Sequence, residues 1–497
     1  MNNTTSEETA KKHTSIGSAA VGLTASKMVA LVISMITTMF LSRFRTTSEY
    51  GTYSQILLVI NLVVALLMLG LPNSVNYFLV RAEGQEDRRT FLSVYYTVST
   101  ILSIVIGIVL VTCLPLIITY FHNEQIGDFY FVLALYPWAS IIMASVENVL
   151  IVYDRMRALI AYRIFFSIAM LLTVLVIEWL GLNFRMYMIL FVAVNAIFAI
   201  AVYIIAAKLC GGLRLLIDRK LLKAIFVFSI PIGLAGVVGT FNTEIDKLLI
   251  GYLMSTEEMA IYSNAAKELP LSIIGTSITA VLLPQITLLV KKEKDTSALK
   301  LWAHATELGM LIVAVIVAGI FVYAEDVITI LYSEKYLPGS TVFRIYTLVL
   351  LFRVTYFGMM LNAHGKTKPV LWSSIVSLVL NIILNPLFYY LFGMPGPAAA
   401  TLLSLFAAMM LQLFMTARIL KVHFSEVFPW GRVGIILGIN VIFGIIFWAL
   451  KKILPLEQYI GSMAESLVLG SIWLFIYWLL LKKWFKGCWQ AINSNGD

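Results

Sequence analysis

A dense group of charged side chains interrupts the otherwise apolar stretch between residues 239 and 284. The group consists of Glu244, Asp246, Lys247, Lys267 and Glu268. A charge inside a segment of bilayer length costs a few kcal/mol on insertion, so such residues usually face a protein interior or a water-filled cavity. Because the five charges flank one short polar turn, they predict a functional site within two neighbouring apolar segments.

The composition of the chain indicates that this site lies in a membrane protein. Of 497 residues, 60% are hydrophobic and 13% are charged, whereas soluble domains are about 45–50% apolar and about 25% charged. Runs of about 20 apolar residues are long enough to cross a bilayer as helices. The runs in this sequence are 16–41, 53–79, 91–118, 129–152, 160–180, 186–208, 223–251, 260–289, 303–324, 341–362, 370–392, 397–420, 433–450 and 463–481. They predict an all-α integral membrane protein with fourteen transmembrane helices.

The distribution of basic residues predicts the orientation of these helices. Most of the 36 lysines and arginines fall in loops on the side of the membrane that would also carry both chain ends. Cytoplasmic loops are the ones enriched in Lys and Arg, so we expect a multi-pass protein of the cell inner membrane with both termini cytoplasmic. There is no basic, aromatic-rich soluble domain to bind nucleic acid. The three cysteines and five histidines show no metal-ligand spacing, so no metal site is predicted.

The sequence repeats itself at a separation of about 210 residues. TSEYGTYSQ at Thr47–Gln55 resembles TEEMAIYSN at Thr256–Asn264, and two shorter matches recur at nearly the same separation in equivalent loops. The separation covers six spans, an even number, which gives both halves the same orientation in the membrane. We therefore expect two pseudo-symmetric six-helix lobes at 1–221 and 222–424, followed by helices 13 and 14 and a cytoplasmic tail at 425–497.

Several longer motifs share an arrangement with a known transporter family. They are R-x-R-T-x-x-E-Y-G-x-Y at Arg43–Tyr53, D-K-L-L-I-G at Asp246–Gly251, A-I-Y-S-N-A-A-K-E-L at Ala260–Leu269, L-P-Q-I at Leu283–Ile286, N-I-I-L-N at Asn381–Asn385 and G-x-x-G-x-A-A-x-T at Gly393–Thr401. With these motifs, nearly the whole chain resembles the polysaccharide-repeat flippases, the Wzx-type O-antigen and capsule transporters. That family belongs to the MOP (multidrug/oligosaccharidyl-lipid/polysaccharide) exporter superfamily, together with the lipid II flippases and the multidrug MATE exporters.

The resemblance implies an architecture and a cargo. It implies two six-helix lobes that face each other across a central cavity and expose it alternately to the two membrane faces. The implied cargo is a polyprenyl-pyrophosphate-linked oligosaccharide, moved from the inner to the outer leaflet. Membrane lipid and other polysaccharide assembly proteins are the expected partners. No cofactor is expected, apart from Na⁺ or H⁺ as a coupling ion.

Basic residues inside the predicted spans are candidate ligands for the pyrophosphate, because the related cavities are cationic. They are Lys27, Lys247, Lys267 and Arg353. Ammonium groups bind phosphate as point charges, and a guanidinium group can bind it bidentately. Structural alternatives stay open: the competing pairs are Lys247 with Glu244 or Asp246, Lys267 with Glu268, and Arg353 with an acid such as Glu147. Lys27 has no acidic residue in its own span and is the first candidate.

The lipid II flippases imply a coupling-ion site between spans 7, 11 and 12. The matching positions are Asn242 or Asp246, Asn381, Asn385 and Thr401. Asn381 and Asn385 are four residues apart and therefore share one helix face. Both are neutral amides, which fits hydrogen bonding between helices equally well. A proton route through Glu244, Asp246 or Glu147 also stays open.

Two other function classes are weighed against the flippase. A cation-coupled multidrug antiporter of the same fold needs acidic side chains in its cavity, whereas span 1 offers Lys27 and no acid. A membrane enzyme such as a glycan polymerase needs a sizeable extramembrane loop with an acid or metal pair, and the sequence contains no D-x-D motif. The chain is therefore not predicted to be an enzyme. It also lacks the G-x-x-x-x-G-K-[ST] motif of ATP-driven transport.

Overall fold

The computed structural model describes residues 3–454 and 456–494, and it describes the side chains of residues 22–454, 456 and 458–493. Over this part of the chain the secondary structure is helical, with no strand. Backbone groups in lipid must find their partners within the protein, and helices meet that requirement by themselves. The predicted all-α class is confirmed.

The first half of the chain is a series of helices joined by short turns. They are α1 (Asn3–Phe44), α2 (Thr47–Met68), α3 (Leu71–Arg81), α4 (Gln85–Thr112), α5 (Leu114–Phe121), α6 (Tyr130–Met143), α7 (Val146–Val152), α8 (Met156–Trp179) and α9 (Phe184–Cys210). A 3-10 helix, Glu124–Phe129, precedes α6. α1 packs along α8, while α4 and α9 pack on α6.

The second half has the same character. Its helices are α10 (Arg219–Leu253), α11 (Thr256–Ala265), α12 (Ser272–Lys291), α13 (Asp295–Val322), α14 (Ala324–Leu331), α15 (Ser340–Val349), α16 (Met359–Ala363), α17 (Thr367–Phe392), α18 (Pro395–Leu420), α19 (Phe424–Val427), α20 (Trp430–Ile453), α21 (Glu457–Ile460) and α22 (Ser462–Ser494). Two 3-10 helices, Glu334–Gly339 and Leu350–Arg353, flank α15. α17 packs along α18, and α13 contacts α12, α15, α20 and α22.

The chain divides into two compact units. The first contains the residues up to Glu244 together with Gly251–Ala260, and the second contains Ile245–Ile250 and the residues from Ile261 onward. The lobe boundaries proposed from the sequence stay a prediction. The chain ends, for which a cytoplasmic position is predicted, lie outside the described residues.

Within the described chain, thirteen segments are long and apolar enough to cross a membrane. They are Gly22–Phe44 of α1, α2, α4, Glu124–Val152, α8, α9, α10, α12, α13, α17, α18, α20 and Ser462–Asn493 of α22. The chain is a multi-pass membrane protein. The count of fourteen is not confirmed, because the tenth predicted span, 341–362, is broken into α15, the 3-10 helix Leu350–Arg353 and α16.

The internal repeat is visible in the way two helices begin. The Thr46 hydroxyl accepts the N–H of Glu49 at 3.2 Å, and the Glu49 carboxylate accepts the N–H of Thr46 at 3.0 Å. Ser255 and Glu258 form the same reciprocal pair at 3.2 and 2.9 Å before α11. These bonds satisfy N–H groups that every helix leaves unpaired at its start. The similar segments found by sequence comparison therefore begin with the same capping box.

Gly51 of α2 lies against the start of α11. A Cβ at this position would lie 2.0 Å from the carbonyl oxygen of Thr256, so only glycine allows the close approach. We expect Gly51→Ala to lower the free energy of unfolding by about 1–3 kcal/mol, the usual cost of overpacking. Thermal unfolding in detergent measures this loss. Gly319→Ala is the matched control, because a Cβ at this helical glycine meets no atom within 4 Å. Equal melting temperatures for the two variants would contradict the packing argument.

Candidate functional site

Asp246 is the centre of a buried polar cluster in the second unit. Its side chain is 1% exposed. One carboxylate oxygen accepts the hydroxyl of Tyr262 at 2.8 Å and that of Tyr346, and the other accepts the N–H of Lys247 at 2.8 Å. These three donors are neutral, and no ion pair to Asp246 occurs among the described residues. Burial of a carboxylate is costly unless it accepts hydrogen bonds, and these three donors meet that requirement.

The cluster continues from Asp246 to two further helices. The Tyr346 hydroxyl also interacts with Thr401 of α18, and the Thr401 hydroxyl donates to the Asn381 side-chain oxygen of α17 at 3.3 Å. Asn385 lies one turn further along α17, is 2% exposed, and has no hydrogen-bond partner for either amide atom within the described structure. The structure thus connects Asp246, Thr401 and Asn381, and places Asn385 on the same face of α17.

The structure assigns the other two predicted coupling residues to the first unit. Asn242 and Glu244 are half-buried positions of α10 in the first unit. Sequence reasoning did not assign Tyr262 and Tyr346 to the Asp246 site. A usable signal was available, because a buried acid needs hydrogen-bond donors and Tyr262 lies in the predicted span that follows Asp246.

Arg353 pairs with Glu268 in the second unit. The guanidinium donates to one Glu268 oxygen at 2.9 and 3.3 Å, and both side chains are about one-third exposed. The suggested partner Glu147 pairs instead with Arg163 at 2.6 Å, so that suggestion was wrong. The suggested pair of Lys267 with Glu268 is replaced by the pair of Arg353 with Glu268.

The break in the tenth predicted span positions Arg353. Arg353 ends the 3-10 helix, and a Cβ on Gly275 of α12 would lie 1.9 Å from the Arg353 carbonyl oxygen. On the other side, Trp302 of α13 donates its indole N–H to the Thr355 hydroxyl at 2.8 Å. Contacts with α12 and α13 therefore hold the non-helical segment, as expected for irregular backbone at membrane depth.

The three candidate lysines are accessible to different degrees. Lys27 of α1 is exposed in the first unit, with no ion pair among the described residues. In the second unit, Lys247 is half-buried, and Lys267, which follows α11, is exposed. Two of the predicted anion ligands therefore lie in the second unit.

An apolar cavity of about 630 Å³ lies in the second unit between α13, α15 and α20. Its lining is mainly aliphatic and aromatic, with side chains such as Phe321, Leu348 and Trp448. Arg344 also lines it, and this arginine pairs with Glu325 at 2.9 Å. The cavity thus combines an apolar wall with a cationic group.

Ion pairs hold both ends of α20. At the start, Arg432 donates to both oxygens of the buried Glu307, at 2.9 and 3.2 Å. At the end, Lys451 pairs with Asp326, whose carboxylate also accepts hydrogen bonds from two serines of α22. Burial opposes ionisation of Asp326, but these hydrogen bonds and the Lys451 charge hold the pKa of Asp326 below its ordinary value. The helix that lines the cavity is therefore fixed at each end.

The fold has a counterpart among solved structures. The lipid II flippase MurJ in an inward closed conformation aligns over 93% of this chain and 99% of its own, with a TM-score of 0.75 and 15% sequence identity. The predicted fold of the MOP exporter superfamily is confirmed. Residues 40–341 match the family described as polysaccharide biosynthesis protein. The match covers more than half of the chain, and the chain belongs to this family.

Two relatives by sequence agree with this family. The "Capsular polysaccharide biosynthesis protein CapF" of Staphylococcus aureus is 25% identical over 201 residues, 40% of this chain and 50% of CapF. The "Probable low-salt glycan biosynthesis flippase Agl15" of Haloferax volcanii is 22% identical over 255 residues, 50% of this chain and 54% of Agl15. The chain spans about half the length of these relatives. The name of Agl15 describes a flippase, which agrees with the prediction of a carrier rather than an enzyme.

Removal of one donor tests the Asp246 cluster. We expect Tyr346→Phe to lower the free energy of unfolding by about 1.5–3 kcal/mol, the usual range for a hydrogen bond to a charged group. Thermal unfolding in detergent measures the change. Tyr390→Phe is the matched control, since Tyr390 is 80% exposed on α17. A Tyr346→Phe protein as stable as this control would show that the hydroxyl does not hold the carboxylate.

Proposed function

We propose that the chain is a flippase that moves a polyprenyl-pyrophosphate-linked oligosaccharide repeat unit across the bacterial inner membrane, for the synthesis of a surface polysaccharide such as O-antigen, capsule or exopolysaccharide. The observation that carries the proposal is the exposed ammonium group of Lys267 in the second unit, which also contains the half-buried Lys247. A cation at membrane depth is costly and usually has a functional role. A pyrophosphate group beside this ammonium group would form charge-assisted hydrogen bonds.

Two further cations fit the same cargo. Lys27 is exposed on α1, and its ammonium group is free to meet an anionic headgroup. Arg353 is partly exposed beside Glu268, and a guanidinium paired with one carboxylate keeps donors for phosphate oxygens. In this proposal, the carrier exposes these cations first to one membrane face and then to the other.

The apolar cavity between α13, α15 and α20 supports a lipid-linked cargo. Its wall suits an isoprenoid chain, because burial of apolar surface is favourable at about 25 cal/mol per Å². Arg344 beside the wall offers a charge to the phosphate end of such a lipid. The names of CapF and Agl15, which refer to capsular polysaccharide and to glycan biosynthesis, support the same class of cargo.

A multidrug antiporter of the same fold is the alternative. Such a carrier needs accessible acids that attract organic cations, since opposite charges are required for binding. In the described structure Asp246 is 1% exposed and the partly exposed Glu268 is paired with Arg353, whereas Lys267 and Lys27 are exposed. The accessible charges therefore favour an anionic cargo. We expect both termini to be cytoplasmic and other polysaccharide assembly proteins to be partners.

Binding of a lipid-linked oligosaccharide tests the flippase function. We expect a polyprenyl-pyrophosphate oligosaccharide to bind the purified protein in a salt-sensitive manner, because the attraction is electrostatic. Lys27→Ala and Lys267→Ala should each weaken binding about tenfold, or roughly 1.4 kcal/mol. A titration in detergent at several salt concentrations measures both effects.

Two controls separate the possible results. Lys292→Ala removes an exposed lysine that follows α12 and should leave binding unchanged. Lys267→Arg keeps the charge and should restore most of the affinity. If the wild-type protein binds organic cations and no lipid-linked pyrophosphate, the antiporter is correct. If both lysine variants bind the lipid as well as wild type, the proposed role of each lysine in anion binding is wrong.

We also propose that the Asp246 cluster binds the coupling ion. Asp246, Asn381, Asn385 and Thr401 are all at most 6% exposed, and all offer oxygen atoms, the ligands that hard cations such as Na⁺ prefer. Asn385 has no protein partner in the described structure, so its amide oxygen is available. The same carboxylate could carry a proton instead, because burial favours the neutral form of an acid.

Ion-dependent stability distinguishes these two cases. A bound Na⁺ stabilises the folded protein by mass action, so we expect NaCl, but not choline chloride, to raise the melting temperature of the wild type. Asp246→Asn should abolish that rise, and Asp128→Asn, at an exposed position, should keep it. A stability that depends on pH rather than Na⁺, and loses this dependence in Asp246→Asn, indicates the proton. If neither dependence changes in Asp246→Asn, the cluster is only structural.

A further inference from the structure

A second group of ligand-type side chains lies in the second unit, on α13 and α22. His304 and Glu307 are one turn apart on α13, and Cys488 is near the end of α22. One potential ligand atom from each residue lies within 4.8 Å of the other two. Glu307 and Cys488 are each 2% exposed. This group plays no part in the proposed transport sites.

The spacing of two of these atoms already suits a metal. The Cys488 sulfur lies 3.5 Å from an oxygen of Glu307. In a tetrahedral zinc site, bond lengths of about 2.3 Å to sulfur and about 2.0 Å to oxygen place those two atoms about 3.5 Å apart. Only the His304 ring needs to move closer, by roughly 1 Å, to complete three ligands at tetrahedral spacing.

One ring nitrogen of the third proposed ligand, His304, has no hydrogen-bond partner within the described structure. The His304 Nδ1 is buried and makes no hydrogen bond within the described structure. A buried polar atom without a partner destabilises the fold, and coordination of a metal ion through this nitrogen would remove that penalty. Imidazole nitrogen is also the commonest protein ligand for zinc-type metals.

The carboxylate is held in place by neighbouring donors. Arg432 bonds to both Glu307 oxygens, and the Trp484 indole N–H donates to one of them at 3.3 Å. Outer hydrogen bonds of this kind orient the ligands of protein metal sites.

We propose that His304, Glu307 and Cys488 bind Zn²⁺ or a similar borderline-soft divalent cation, with water as the fourth ligand. Sulfur and nitrogen ligands select this class of metal over Mg²⁺ and Ca²⁺. On binding, Cys488 loses its thiol proton to solvent and becomes a thiolate. The metal joins α22 to α13. The proposal replaces the expectation of no metal site, which rested on spacing along the sequence.

Cobalt binding tests the site, because a thiolate bound to Co²⁺ gives a charge-transfer absorption that free Co²⁺ lacks. Untagged full-length protein is stripped with chelator in detergent and titrated with Co²⁺. We expect about one Co²⁺ per chain with this absorption, displaced by Zn²⁺. Cys488→Ser should abolish the absorption, and His304→Ala should weaken metal binding at least tenfold.

Matched variants provide the controls. Cys113→Ser removes a cysteine outside the group, and His423→Ala removes an exposed histidine, so both should bind Co²⁺ like the wild type. If Cys488→Ser does not fold, X-ray absorption of the Zn²⁺-loaded wild type replaces it and should show one sulfur ligand. No thiolate absorption in the wild type, its persistence in Cys488→Ser, or a zinc shell without sulfur would each overturn the proposal.

Discussion

A carboxylate buried at membrane depth must receive hydrogen-bond donors or a cation, and the second unit is arranged around that requirement at Asp246. Two tyrosines reach the carboxylate from α11 and α15. Through Thr401 the same cluster extends to α18 and α17. Because an unsatisfied buried charge is so costly, a shift of these helices relative to α10 would change the hydrogen bonds that Asp246 accepts. In the function that we propose, this dependence links ion binding to movement.

Much of this architecture follows from the sequence. Apolar runs locate almost every membrane segment, because a helix must cover about 30 Å of hydrocarbon. The repeated TSEYG and TEEMA segments indicate two similar halves, and the capping boxes at Thr46 and Ser255 explain their similarity. Asp246, Asn381 and Thr401 are predicted together from motifs, and they form one connected cluster.

The remaining features depend on contacts that hydropathy does not encode. Residues 341–362 are apolar enough for a span, yet the chain leaves the helix after Leu350–Arg353, where Gly275 and Trp302 hold the backbone. The partner of Arg353 is likewise set by the position of Glu268 after α11, which no spacing rule predicts. His304 and Cys488 are far apart in sequence and meet only because α22 packs along α13.

Helix α20 combines an apolar middle with ends that are fixed by ion pairs. Its middle is apolar and lines the cavity, whereas its ends carry Arg432 and Lys451, which pair with Glu307 and Asp326. An ion pair with a buried partner resists separation of its two side chains, because separation leaves an uncompensated buried charge. The apolar wall makes only non-directional contacts, so in the function that we propose it accepts an isoprenoid chain without the loss of specific bonds. In that proposal the fixed ends keep the helix in place beside α13 while its centre serves as the lipid-binding surface.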